Sequence, residues 1–379
     1  RGREQSVRMV VSSVSKVPKA RTGSNGARRP RATIRDVAAR AGCSPSTVSR
    51  VLNGVGRASQ ETKERVSAVA QELGFRFDPI GRSLQSQKSR TLGLLTPTLT
   101  DEVFAHATGG VQAEAHRQGY QVLLACSNYD VRQEEAAVAN LIAHRVDGLV
   151  MTLADTAESP ALLLARDAGI PFVLVFNQPA EPLPAVSLDN RAAGERMARE
   201  MMTLGHREAA FISGRFRCSE RARHRYDGFK AAFLDAGHPA PALLEVDRTA
   251  RSHRRKLMGL MTRRPGISAL FCSNDVLALT VVSDLRALGC RVPEDMSVAG
   301  FDGIDATAVA EPSIATIAIS CGATGKRATT RLIAASEGRE EMLDTPEHLP
   351  FRFRPGSSLG RPNGMASDAR RRVPARKRQ

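Results

Sequence analysis

The spacing of apolar and polar positions changes character along the chain. Between Ala32 and Asn53 the apolar residues recur at helical spacing in two short runs. Ile34, Val37, Ala38 and Ala41 share one face of the first run, and Val48, Val51 and Leu52 share one face of the second. Thr33 stands where an N-cap belongs, with Asp36 three residues on, the spacing of a capping box. Gly42 supplies the turn, Ser44 can cap the second helix, and Pro45 takes its first position, where a missing N–H costs nothing. A third helix follows Ser59, with Val66, Val69, Ala70 and Leu73 as its stripe and Gly74 as its stop. Two short helices about a glycine turn, the second carrying Ser46, Thr47, Ser49, Arg50 and Asn53, describe a helix-turn-helix.

From Thr91 the pattern becomes one of continuous apolar runs alternating with amphipathic stretches. The runs at 92–97, 120–126, 148–153, 171–176, 209–213, 269–274 and 297–302 read as strands buried on both faces. The stretches at 104–118, 131–145, 159–168, 190–204, 220–236, 252–263, 274–288 and 322–337 read as helices. These units exceed one comfortable sheet, so two doubly wound parallel sheets facing across a cleft are expected. In such sheets ligands bind beyond the carboxyl ends of the strands. Those ends are polar here: Thr98 to Asp101, Asn177, Ser213 to Arg225, Asn274 with Asp275, and Asp302.

Charge sharpens the division. The net charge is +16, but residues 1–31 carry +8, residues 32–90 carry +5, residues 361–379 carry +6, and the long middle carries −3. A basic module attracts phosphate and a mildly acidic body is held off it, so nucleic acid is the expected partner of the N-terminal part. The ends, rich in Arg, Pro, Ser and Gly, read as disordered. The expected division is a basic arm at 1–30, a helix-turn-helix domain at 31–78, a hinge helix and linker at 79–90, a two-lobed core at 91–358 and a basic tail at 359–379. The six cysteines are scattered without paired spacing, which argues against zinc and a disulfide framework and fits a reducing cytoplasm. No apolar run is long enough to span a membrane, and no metal or cofactor is implied.

The segments ATIRDVAARAGCSPSTVSRVLNG and DPIGRSLQSQKSRTLGLL closely resemble the lactose-repressor (LacI) family of bacterial transcription regulators. RVDGLV, AGIPFVLV, VSLDNRAAG, LGHREAAFISG, RYDGFKAAF, ALFCSND, LGCRVPEDMSVAGFDG and PSIATI follow in the family's order, so the resemblance covers residues 32–358. It implies a periplasmic-binding-protein-like core controlling a small all-α DNA-binding domain, in a homodimer on pseudo-palindromic operator DNA. By position, Pro45, Ser46 and Arg50 match operator-reading residues, and Thr47, Ser49 and Asn53 the contacts around them. Arg50 is the best candidate for a guanine edge, since its fork can bond O6 and N7 together. Leu84, in the basic setting of Arg82, Lys88 and Arg90, matches a leucine that wedges into the minor groove. Where the family usually has Ala stands Gly81, which costs a helix interior about 1 kcal/mol. The hinge helix is therefore expected to fold only on the operator.

The same resemblance assigns Asp101, Phe104, Asn177, Arg225, Asn274 and Asp302 to a pocket for a small sugar-like effector. Thr100-Asp101-Glu102-Val103-Phe104 replaces a family segment with two aromatics, so one is lost. LTDEVFAH, with GYQVLLA after it, leans toward the gluconate-repressor branch, and Arg225 with Arg248 or Arg221 could pair a carboxylate or phosphate. A sugar acid is the expected effector. Two rival classes fare worse. A transport-type sugar-binding protein would share the core but carry a signal peptide and no helix-turn-helix. A nucleotide-binding enzyme finds only GATGKR at 322–327, which lacks the earlier glycine and has Arg327 where a phosphate loop needs Ser or Thr. A non-enzymatic regulator is the expected class. No leucine heptads follow residue 358, so a tetramer of the lactose-repressor kind is not expected.

Overall fold

A computed structural model describes residues 32–52, 58–75, 88–157, 159–247, 250–342 and 344–363. The chain divides into two compact units, Arg1–Gly81 and Arg82–Gln379.

The described part of the first unit is three helices: α1 (Ile34–Ala41), α2 (Pro45–Leu52) and α3 (Gln60–Glu72). The capping box forms, with Thr33 N and Oγ1 donating to Asp36 Oδ2 at 2.7 and 2.8 Å. Gly42 ends α1 at φ 64°, the left-handed conformation that glycine adopts without cost. Ser44 Oγ accepts from Thr47 N at 3.1 Å and so opens α2. Val37, Ala38, Ala41, Val48, Val66 and Ala70 form the shared core, with Val51, Leu52, Val69 and Leu73 half-buried against it. Arg65 Nε donates to Ala41 O at 3.0 Å and ties α3 to the end of α1.

The second unit holds two six-stranded sheets. Lobe 1 has the order β11-β5-β4-β3-β1-β2, built from β1 (Thr91–Thr96), β2 (Gln121–Cys126), β3 (Gly148–Met151), β4 (Phe172–Val175), β5 (Ala185–Ser187) and β11 (Pro346–His348). Its helices are α4 (Glu102–Arg117), α5 (Val131–Ala143), α6 (Pro160–Asp167) and α12 (Cys321–Ser336). Lobe 2 has the order β12-β10-β9-β8-β6-β7, built from β6 (Ala209–Ser213), β7 (Ala242–Glu245), β8 (Ala269–Cys272), β9 (Ser297–Asp302), β10 (Ala315–Ala318) and β12 (Arg352–Arg354). Its helices are α7 (Asn190–Leu204), α8 (Glu220–Asp235), α9 (Arg254–Arg263), α10 (Asp275–Ala287) and α11 (Asp305–Val309). All pairings are parallel except β10 with β12.

The chain passes between the lobes after β5, after β10 and between β11 and β12. Strands β3, β4, β6 and β8 are buried throughout, which is why they read as unbroken apolar runs. Five strands carried no such run: β5, β7, β10, β11 and β12. They are only three or four residues long, and β7, β11 and β12 lie at sheet edges with polar residues among them. The segment 322–327 opens α12, whose buried face packs on α4: a Cβ at Gly325 would lie 2.2 Å from Ala107 O. Its glycines serve helix packing within lobe 1, which is a different role from cradling a phosphate.

Candidate nucleic-acid interface and interlobe cleft

Helix α2 turns Val48 into the core and leaves Pro45, Ser46 and Arg50 exposed, with Thr47 and Ser49 half-buried. Ser44 Oγ lies 2.7 Å from Ser46 Oγ and 2.9 Å from Thr47 Oγ1, so the N-terminal turn presents a cluster of hydroxyls. Arg50 Nε donates to Ser46 O at 3.3 Å, laying the guanidinium back along its own helix. Exposed hydroxyls and one arginine on a short, rigid helix suit a groove lined by phosphates and base edges. Asn53, Gly81, Arg82, Leu84, the expected hinge helix, the basic arm, Arg248 and most of the basic tail lie outside the described residues.

In the second unit the strand ends of both lobes converge on one cleft. From lobe 1 come Asp101, Phe104, Tyr129 and Phe176; from lobe 2 come Ser213, Arg215, Arg221, Arg225, Asn274 and Asp302. Phe104 meets Tyr129 and Phe176 edge to face, at 6.2 and 6.0 Å between ring centroids. Tyr129 and Phe176 stand at φ 62° and 66°, a backbone conformation that bulky residues adopt only under constraint. They supply the aromatic wall that the 100–104 segment provides only through Phe104, and no local sequence pattern announces them. Tyr129 Oη donates to Asp101 Oδ2 at 3.0 Å.

The opposite wall is built around Arg225. Its Nε donates to Asn190 Oδ1 at 2.9 Å, its Nη1 donates to Ser273 O at 2.6 Å, and its guanidinium carbon lies 3.4 Å from the centre of the Phe301 ring. Close crossing of α7 and α8 makes this possible. A Cβ at Gly194 would lie 2.0 Å from Arg225 O, and one at Gly228 would lie 2.0 Å from Arg191 O. Burial lowers the Arg225 pKa to about 10, with the Asp302 carboxylate opposing the shift. Burial likewise holds Asp302 well above the carboxylate range, against the pull of Arg225. Asp302 sits at φ 113°, strained at the end of β9. Asn274 caps α10, its Oδ1 accepting from Leu277 N at 2.8 Å. Ser213 Oγ is buried without a hydrogen-bond partner.

Asn177 has a different place. It is fully buried and is not among the residues lining the cleft. Its Oδ1 accepts from Leu153 N at 2.9 Å, and its Nδ2 donates to Leu153 O and Glu220 Oε1 at 3.0 and 2.7 Å. The amide is thus used in joining loops behind the pocket. Asp275, another polar strand end, is also structural: it accepts from Thr316 Oγ1, Gly303 N and Ile304 N at 2.7, 2.7 and 2.9 Å and anchors the turn after Asp302.

Glu134 went unnoticed in the sequence, although its spacing from Val138 and Leu141 puts it on the apolar stripe of its helix. Its Oε1 accepts from Ala154 N at 2.9 Å, and its Oε2 is buried without a partner. Burial pushes its pKa up to about 7, from an ordinary value of 4.5. The folded protein therefore holds this proton more tightly than the unfolded chain. The contribution to stability is complete below pH 4.5 and is lost as pH rises toward 7. Glu134→Gln is expected to flatten the pH dependence of urea unfolding across this window, by on the order of 1–3 kcal/mol. Parallel curves for the two proteins would refute this.

A three-helix unit with an exposed polar recognition helix and a two-lobed body with a polar cleft define a DNA-binding regulator with a small-molecule domain. The chain belongs to the LacI family: residues 33–78 match the bacterial regulatory proteins of the lacI family, and residues 89–348 match the periplasmic binding proteins and sugar binding domain of that family. It is 31% identical over 338 residues to the HTH-type transcriptional regulator GntR of Escherichia coli (strain K12), covering 88% of this chain and all of that one. It is 32% identical over 329 residues to the HTH-type transcriptional repressor PurR of Aliivibrio fischeri (strain ATCC 700601 / ES114), covering 84% of this chain and 96% of that one. Among solved structures, the lac repressor dimer bound to operator and the anti-inducer ONPF superposes with a TM-score of 0.79 at 25% identity, covering 87% of this chain and 99% of that one. The regulator CelR in complex with cellobiose gives 0.64 at 26% identity, covering 86% and 100%. The protein is a transcriptional regulator with a helix-turn-helix domain and a sugar-binding-type core.

Proposed function

We propose that this protein binds a pseudo-palindromic operator as a homodimer, in the bacterial cytoplasm, and that a sugar acid bound between its lobes controls operator affinity. The observation that carries the effector reading is the wall of the cleft. Ser213 Oγ lies buried and unpartnered beside Arg221 and Arg225, opposite the Phe104, Tyr129 and Phe176 rings. A buried hydroxyl without a partner is costly, and a ligand hydroxyl would satisfy it. Aromatic rings suit the apolar face of a sugar chain, and Asp101, Asn274 and Asp302 suit its hydroxyls. The arginines add a seat for one carboxylate, and Arg225 is already oriented by Asn190, Ser273 and Phe301.

The homodimer and the operator are supported by the solved lac repressor dimer bound to operator, which this chain matches over 87% of its length. Linkage requires that effector and operator affinities change by the same factor, typically 1–3 kcal/mol in such systems. No step in this reading needs an enzymatic activity or a cofactor. Isothermal titration against gluconate-type acids and neutral sugars tests the effector class. Binding of acids with micromolar to millimolar affinity is the expected result; binding of neutral sugars alone overturns it. Among solved relatives, CelR holds cellobiose, a neutral sugar, so the neutral arm of the titration is a real competitor.

A further inference from the structure

The beginning of α8 makes a set of contacts that effector binding does not explain. Three residues of lobe 2, Glu220, Arg221 and Arg223, engage the loops that follow β3 and β4 in lobe 1. The Glu220 carboxylate takes four hydrogen bonds: Oε2 accepts from Thr156 N and Oγ1 at 2.8 and 2.7 Å, and Oε1 accepts from Asn177 Nδ2 and Gln178 N at 2.7 and 3.0 Å. Glu220 N donates to Ala154 O at 2.9 Å. Arg221 Nη1 donates to Leu153 O at 2.8 Å, and Arg223 pairs with Asp155 Oδ2 at 3.1 Å. Asn177 stitches the two loops together through Leu153, so they present one surface to the helix.

We propose that Glu220, Arg221 and Arg223 form a clasp that holds the two lobes together through protein groups alone, with Glu220 as its positioning residue. Glu220 is 4% exposed, and a buried carboxylate is stable only when its lone pairs are matched by donors. Here every matching donor comes from lobe 1, so parting the lobes strips the carboxylate of its partners all at once. Burial by itself would raise the Glu220 pKa, but the hydrogen bonds from Asn177 and Thr156 outweigh it and leave the pKa lowered. Elsewhere across the cleft, Asp305 N donates to Glu102 Oε1 at 3.1 Å in an exposed setting, where water competes on nearly equal terms. Arg221 belongs to both clasp and cleft wall. A ligand anion that draws on Arg221 therefore acts on the clasp directly.

This deepens the reading of the cleft as an effector site and rests on that reading only for its regulatory consequence. The clasp itself is testable with no ligand present. In Glu220→Gln the side chain keeps its shape, but its amide nitrogen must face one pair of lobe 1 donors. In the full-length, ligand-free protein, amide hydrogen exchange at Thr156 and Gln178 is expected to rise by roughly tenfold or more, while Val150 and Phe211 in the central strands keep their protection. The radius of gyration from small-angle scattering should increase. Thr156→Val removes one donor from the other side and should give a smaller rise at the same amides, even if Glu220→Gln folds poorly. Unchanged exchange at both amides in both variants, or a uniform rise across both lobes, overturns the proposal. A gluconate titration separates the two readings. Weaker binding by Glu220→Gln, by roughly tenfold, extends the clasp to effector control. Absence of gluconate binding by the wild type counts against the sugar-acid reading, while the exchange data still decide the clasp.

Discussion

Replacing Arg225 by methionine is expected to abolish sugar-acid binding and to lower stability by about 3 kcal/mol. The side chain does three things at once: it satisfies Asn190 Oδ1, satisfies Ser273 O and covers the Phe301 ring. Methionine keeps much of the volume and can still lie against the ring. It leaves the amide oxygen and the carbonyl without their donor and Asp302 without the nearby positive charge. Removing one partner from a buried charged cluster is costly because the groups left behind cannot recover water. Arg225→Lys keeps the charge but cannot reproduce the fork or the stacked plane, so it should recover part of the stability and little of the binding. Urea unfolding and isothermal titration on the same preparations read the two effects separately. Wild-type affinity in Arg225→Met would remove Arg225 from the effector site.

On the DNA side, Arg50→Ala is expected to weaken operator binding by about 1–3 kcal/mol and to relax specificity at one base position in each half-site. Pro45 offers no side-chain donor and the hydroxyls of Ser46 and Thr47 are short, so the reach to a base edge falls to Arg50. The residue is exposed and outside the three-helix core, so thermal stability should stay within about 0.5 kcal/mol of wild type. Fluorescence anisotropy against operator fragments substituted one base pair at a time gives the pattern. A loss spread equally over all sequences would make Arg50 a phosphate contact.

The three described helices of the N-terminal unit were legible almost to the residue because their signals are local. Thr33 with Asp36, Gly42, Ser44, Pro45 and Ser59 act within one turn of where they stand, and a cap or turn has the same consequence whatever packs against it. The central strands were legible for a related reason: a strand covered on both faces must be apolar throughout. The short strands β5, β7, β10, β11 and β12 were not, since three or four residues beside a ready-made neighbour need no pattern of their own. Their existence follows from the hydrogen-bonding edge that the adjacent strand offers.

In the cleft the boundary between legible and hidden runs through individual residues. Asp101, Phe104, Arg225, Asn274 and Asp302 stand at strand or helix ends, where position along the chain already places them at the mouth of a doubly wound sheet. Asn177 stands at such an end too, but the structure turns it inward to Leu153 and Glu220. Tyr129 and Phe176 enter the wall through left-handed backbone conformations that no spacing rule reveals. Glu220 reads in sequence as an ordinary acid favouring a helix N-terminus, and only the approach of lobe 1 makes it a four-donor anchor.

The sequence by itself determined the helix-turn-helix, the alternation of buried strands and helices in the core, the separation of basic ends from an acidic body, and the family. Each depends on interactions between residues close in the chain or on sums over it. Only the tertiary structure decided which polar groups face the cleft, which are used in holding it, and which are left without a partner. Those outcomes depend on distances between residues far apart in sequence. A buried Ser213 hydroxyl or a Glu134 carboxylate acquires its energetic meaning from what stands opposite it, and the chain order does not contain that information.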